Sequence, residues 1–260
     1  MASVTQQVRH TKQPRGGYVN PRKMLVETNF GFIPPHDAKE ENVNPGLVGE
    51  AVDYLTRFMS GASVREAFKI SYIGACCVFK IKNAELYGEQ VTGLDDRSII
   101  AAIRLSGFDA AYRAGRAAYR PVEEINPNAE TIENVRVMVE SGLKFFEEYG
   151  PITHDGIIFT GGYTSVVDAG DGDFMTADTL WDFKCSVNPP TSKHTLQIVM
   201  YWLMGLHSIY AEDYRVIKHL GFFNPRLGKV YTFDVADIPA EILHEIEISV
   251  IGYDKLAAIY

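Results

Sequence analysis

Two hydrophobic rhythms divide this chain. Between Asn44 and Tyr149 apolar residues recur every three or four positions, whereas from Gly156 onward short β-type runs take over. In the first half, Leu47, Ala51, Val52, Leu55 and Phe58 predict a helix that opens at Asn44-Pro45 and stops near Gly61. Ser63-Val64-Arg65-Glu66 has the form of a capping box and predicts a second helix start. Asp95 to about Ala118 reads as a third helix broken around Gly107, and Ala129 to Tyr149 as a fourth with Val135, Val139, Leu143 and Phe146 on one face.

After Pro151 the runs Gly156 to Thr160 and Tyr163 to Val167 predict short strands, and an acid-rich loop from Asp168 to Asp178 leads into a strand from Leu180 to Cys185. Thr191 or Ser192 caps an apolar helix that continues to about His207. Tyr214 to Phe223 and Lys229 to Val235, joined by the turn Asn224 to Gly228, read as a hairpin, and Pro239 opens a last helix. No internal repeat or low-complexity tract interrupts the chain. The pattern predicts an α/β protein with a largely helical N-terminal half and a single domain over residues 45–260.

Residues 1–44 show neither rhythm, being rich in Gly, Pro, Asn and charge, and are read as an irregular, partly mobile arm. Arg9, Lys12, Arg15, Arg22 and Lys23 all precede the first acid, Glu27, so the arm is either a solvated tail or a strap that touches phosphates or a partner subunit. The formal net charge of the whole chain is -8, which argues against a uniformly basic nucleic-acid surface and leaves room for a local basic groove. Three cysteines, two of them adjacent, cannot build a disulfide framework or a four-thiolate zinc or iron-sulfur site, so any metal is expected on oxygen ligands. With no long apolar stretch, the expectation is a cytoplasmic protein without a membrane span.

The candidate chemistry begins at Thr179-Leu180-Trp181-Asp182-Phe183-Lys184. In a strand, residues two apart share a face, so Asp182 and Lys184 point together while Trp181, Phe183 and Cys185 point the other way. An acid and a lysine on one face of an apolar strand must be paired, solvated or metal-bound. Fifteen residues after Asp182, a helix carries Gln197 and Tyr201 four apart and therefore on one face, with His194 three before Gln197. His194 is read as a cap or surface residue. The chain carries no P-loop, no Gly-x-Ser-x-Gly and no His-Glu-x-x-His, so any motor would be a separate protein.

These elements resemble the PD-(D/E)XK nuclease superfamily, whose acid-x-lysine motif is matched by Asp182-Phe183-Lys184, and its RecB-like branch, whose Gln-x-x-x-Tyr helix is matched by Gln197 and Tyr201. The family's first acid often follows a glycine by three; frames from Gly161 and Gly162 end on Thr164 and Ser165, and Asp168, fourteen residues before Asp182, is taken instead by its spacing. Asp171 and Asp173 in Gly170-Asp171-Gly172-Asp173 are read as a solvated turn. Val48 to Leu55 resembles the N-terminal helix of RecB-like nucleases, in which a residue after a glycine completes the metal shell, and offers Asp53 and then Glu50.

The resemblance implies a restriction-endonuclease-like core, with a central mixed, mainly antiparallel sheet flanked by helices. It also implies Mg²⁺- or Mn²⁺-dependent hydrolysis of single- or double-stranded DNA by a phage- or mobile-element-associated nuclease or exonuclease that works with a separate helicase or recombination partner. In that scheme Asp168, Asp182, Asp53 and Glu50 bind metal, Lys184 supports the attacking water, and Gln197 and Tyr201 orient the site. The alternative is a nuclease fold without chemistry, serving as a nucleic-acid-binding or protein-interaction scaffold.

Overall fold

The computed structural model describes residues 2–254, 257, 259 and 260. The chain opens with β1 (Ala2–Ser3), α1 (Val4–His10), α2 (Pro21–Met24) and β2 (Val26–Asn29). A helical stretch follows: α3 (Pro45–Met59), α4 (Val64–Ala67), α5 (Lys69–Cys77), α6 (Ile81–Gly88), α7 (Asp96–Ser106), α8 (Asp109–Arg113) and α9 (Ala129–Tyr149). Then come β3 (His154–Ile158), β4 (Val167–Ala169), β5 (Asp171–Met175), β6 (Thr179–Phe183), α10 (Ser192–Leu206), α11 (Ala211–Arg215), β7 (His219–Asn224) and β8 (Lys229–Asp234). The last helix, α12 (Ala240–Glu245), runs into a π-helical turn at Ile246–Ile251.

Six strands form one sheet in the order β2-β8-β7-β6-β5-β3. Only β6 and β7 run parallel, because α10 and α11 carry the chain back between them; every other neighbour is antiparallel. The predicted α/β architecture, a mixed sheet flanked by helices beside a helical N-terminal half, is the one observed. Alternation along β6 sends Leu180 into a layer with Val199, Met200 and Leu203 of α10, and Trp181 into a layer of aromatic rings built on Phe145 of α9. Phe145 stacks on Phe223 at 4.4 Å and meets Trp181 edge-on at 4.9 Å, an arrangement that adds ring complementarity to simple burial. A third core, Val52 and Leu55 of α3, Ile99 and Ile103 of α7, and Val135 and Val139 of α9, unites the helical half.

The helix starts follow local chemistry. Asn44 caps α3 by accepting the Gly46 N–H at 2.9 Å, and Ser63 and Glu66 form the expected capping box, though the helix it opens is only one turn long. α9 keeps its predicted ends.

Four expectations need correction. The run Tyr163 to Val167 does not form the predicted strand, since β4 begins only at Val167. Residues 1–44 are not a free arm: Val4, Val8 and Val19 are buried against α10, and Val26–Asn29 pairs with β8 as an edge strand of the main sheet. All four residues of β2 are exposed, so the strand exists through backbone pairing and leaves no hydrophobic signal. The acid-rich loop contains β5, which lies between β3 and β6; cross-strand bonding on both sides overrides the weak strand propensity of Gly and Asp. Tyr214 ends in α11 rather than opening a strand, with β7 starting at His219. Among the described residues, no helix is long and apolar enough to cross a membrane.

Candidate active site

β6 delivers Asp182 and Lys184 to the face of the sheet covered by α10. Asp182 is 3% exposed, and its Oδ2 lies 2.7 Å from Lys184 Nζ. In the antiparallel register Phe174 opposes Trp181 and Met175 opposes Leu180, so one further step sets Asp173 against Asp182 on the same face. At that step a side chain replaces the backbone ladder: Asp173 Oδ2 accepts the Phe183 N–H at 2.6 Å. Burial, then the negative charges of Asp182 and Asp53, push the Asp173 carboxyl up to about 7. Burial opposes the charge on Lys184, but Asp182 and Asp173 outweigh it and hold the ammonium above its ordinary value.

Asp173, not Asp168, is therefore the acid brought beside Asp182. Asp168 is exposed on β4, which pairs with β1 in a separate two-stranded sheet. The short turn closed by the Thr176 N–H on Thr179 O at 3.0 Å fixes the β5–β6 register, and nine residues, not fourteen, separate the opposed acids. In the sequence, Gly170 precedes Asp173 by three, the spacing that the resemblance led one to seek at Gly161 and Gly162. Reading Gly-Asp-Gly-Asp as a turn concealed it.

α3 approaches the end of β6 at Gly49, where an added Cβ would lie 3.3 Å from Cys185 Cβ. This packing turns Asp53 toward the sheet, where its charge acts on Asp173. Arg57, one turn on, pairs with Asp53 at 3.0 Å and also with Asp155 of β3. Burial opposes the guanidinium charge, and Asp53, Asp155 and Asp173 together hold it protonated. Neither Arg57 nor Asp155 was legible as a site residue, because only the α3–sheet contact brings them in.

Glu50 goes elsewhere. Three residues along a helix is about 60° short of a full turn, and Glu50 uses the difference to face Arg113 of α8 at 3.7 Å. There it adjoins a buried network in which Tyr54 and Ser71 each donate to Asp109 at 2.6 Å. Burial and the Asp109 charge raise Glu50 to about 7, with Arg113 opposing.

α10 lays its polar face over the acids. Thr191 and His194 form a capping box, the Thr191 N–H donating to His194 Nδ1 at 3.1 Å, so His194 is the cap its position suggested. Burial and the neighbouring Lys184 lower its pKa and keep the ring neutral. Gln197 Nε2 donates to Tyr201 Oη at 2.7 Å, and Tyr201, buried and stacked on Phe159 at 5.3 Å, has its hydroxyl proton held by burial and the nearby Asp182 charge.

The set Asp168, Asp182, Asp53 and Glu50 is thus not assembled, and among the described residues no group of three or more His, Cys, Asp or Glu side chains is arranged to hold a metal ion. The donor chemistry of the remaining pair nevertheless fits a hard divalent cation. Asp173 and Asp182 present oxygen ligands on one face, with Asp182 Oδ2 2.7 Å from the Lys184 ammonium. Paired carboxylate oxygens are the ligand type that Mg²⁺ or Mn²⁺ takes. Comparison with protein-family models, curated proteins and solved structures gives no match.

Proposed function

We propose that this protein is a Mg²⁺- or Mn²⁺-dependent DNA nuclease of the RecB-like PD-(D/E)XK type, acting in the cytoplasm. The observation that carries the reading is the face-sharing triad of Asp173, Asp182 and Lys184, with Gln197 and Tyr201 of α10 above it.

Asp173 and Asp182 would hold the ion, which when bound acidifies a water molecule and bears charge on the phosphate. The neighbouring Lys184 supplies a fixed ammonium that lowers the pKa of the attacking water and offsets negative charge gathering on the phosphoryl oxygens. Gln197 fixes the direction of the Tyr201 hydroxyl, leaving a polar edge in an apolar wall to orient the substrate strand. Arg57 anchors Asp53 and Asp155, so that α3 and β3 are tied to one side of the site.

Incubation of the protein with linear and circular DNA and Mg²⁺ or Mn²⁺, beside Lys184→Ala, tests the assignment. Cleavage by the native chain and a loss on the order of 100-fold or more in the variant is expected. Equal rates would remove Lys184 from the mechanism. The alternative, a nuclease fold acting only as a scaffold, is favoured by one observation: Lys184 and Arg57 already neutralise carboxylates of the site. It predicts DNA or protein binding with no metal-stimulated cleavage.

A further inference from the structure

We propose that the groove between the N-terminal segment and the start of α10 holds the phosphate backbone of a DNA strand whose adjoining nucleotides enter the neighbouring acid-lysine site. This rests on the nuclease reading of that site and names how its substrate is held.

The groove measures about 900 Å³ and is lined by Arg15, Asn20 and Arg22 on one side and by Asn188, Thr191 and Ser192 on the other. Its basic wall is pinned in place. Gln13 donates to Ser192 O at 3.1 Å, and Thr195 donates to Val19 O at 2.6 Å. Gly16 and Gly17 both have positive φ, and an added Cβ at Gly17 would lie 2.4 Å from Ser192 Cβ, so the turn is seated tightly on the helix start.

Charge selects the occupant. In a chain of net charge -8, the first acid is Glu27, preceded by Arg9, Lys12, Arg15, Arg22 and Lys23. Arg15 and Arg22 are exposed, and neither takes part in an ion pair among the described residues. Asn20, Asn188, Thr191 and Ser192 add polar atoms and no negative charge. Guanidinium groups over a polar floor match phosphodiester oxygens.

Position supplies the link to the site. The groove wall at Thr191 and Ser192 lies on the connection from Lys184 to His194, and the His194 ring sits 6.5 Å from the ring of Phe222, the residue that pairs with Asp182 in the β6–β7 register. A strand lying in the groove is therefore delivered past the first turn of α10 to the carboxylate pair.

The test is fluorescence anisotropy of a labelled single-stranded oligodeoxynucleotide, and of its duplex, in EDTA so that nothing is cleaved. Arg15→Gln/Arg22→Gln is expected to weaken binding about tenfold and to make the salt slope shallower by about 1.4 for a single strand, two contacts at about 0.7 each. Lys82→Gln/Arg97→Gln, exposed positions on the helical half, should change neither quantity. Matching circular-dichroism melts establish that each variant is folded. Native affinity and slope in the groove variant, or an equal loss in the control variant, would overturn the groove while leaving any metal-dependent cleavage by the native chain intact. Groove-dependent binding without cleavage would keep the groove and remove the nuclease reading.

Discussion

The main-chain N–H of Phe183 donates to Oδ2 of Asp173 at 2.6 Å, and this bond carries a β5 carboxylate across to β6 beside Asp182. The sheet ladder and the candidate site meet in one hydrogen bond. Asp173 is thereby oriented by the backbone of the strand that bears the other acid and the lysine.

Asp173→Asn and Asp168→Ala separate the two candidate first acids. Loss of a carboxylate that holds the ion should lower DNA cleavage on the order of 100- to 1,000-fold, while the exposed Asp168 should be silent. Rates of Mn²⁺-dependent hydrolysis for the two variants decide it. An inactive Asp168→Ala beside an active Asp173→Asn would reverse the assignment.

Glu50 makes stability depend on pH. Its folded-state pKa of about 7 lies above the ordinary glutamate value, so the folded chain favours the protonated form. The stability it contributes is present below the ordinary value and is lost as pH rises through about 7. Glu50→Gln imitates the protonated side chain. Thermal melts should show the variant matching the native protein near pH 4 and exceeding it at pH 8; identical pH profiles would contradict the burial of this carboxyl.

Removing Phe145 should unseat the layer beneath the site. The ring is fully buried and packs against Phe223, Trp181 and Phe174, so Phe145→Ala leaves a large cavity and should cost about 3–5 kcal/mol. Urea denaturation measures the loss. A change below about 1 kcal/mol would mean that the aromatic layer collapses to fill the space.

Glu41 and Arg226 form a buried, bidentate ion pair at 2.6 and 3.0 Å that ties the segment before α3 to the β7–β8 turn. Glu41→Ala strands a buried guanidinium and should destabilise by about 3–5 kcal/mol, whereas Glu41→Met/Arg226→Met should recover much of that loss. Chemical denaturation of the single and double variants gives the comparison. Equal losses would show that shape rather than charge is at stake there.

Much of the architecture was legible because it is encoded locally. Asn44 and the α3 stripe, the α9 stripe and the alternation of β6 fix each element through its own side chains, and the i,i+4 spacing of Gln197 and Tyr201 needs no tertiary information. The edge strand β2 was not legible, since its four residues are all exposed and its partner β8 is about 200 residues away. β5 was hidden for a related reason: Gly and Asp are turn residues until two neighbouring strands claim their backbone.

By itself, the sequence determined that Asp182 and Lys184 share a face, that Gln197 and Tyr201 share another, and that a helical stretch from residue 45 to 149 precedes the strand that bears the acid and the lysine. Backbone periodicity fixes these relations within a single element. Only the tertiary structure decided which acid stands opposite Asp182, that Asp53 turns inward with Arg57 while Glu50 turns to Arg113, and that the basic N-terminus is docked on α10. Strand register and helix rotation are settled by contacts between distant segments, and a shift of one residue in a strand would have sent every side chain to the opposite face.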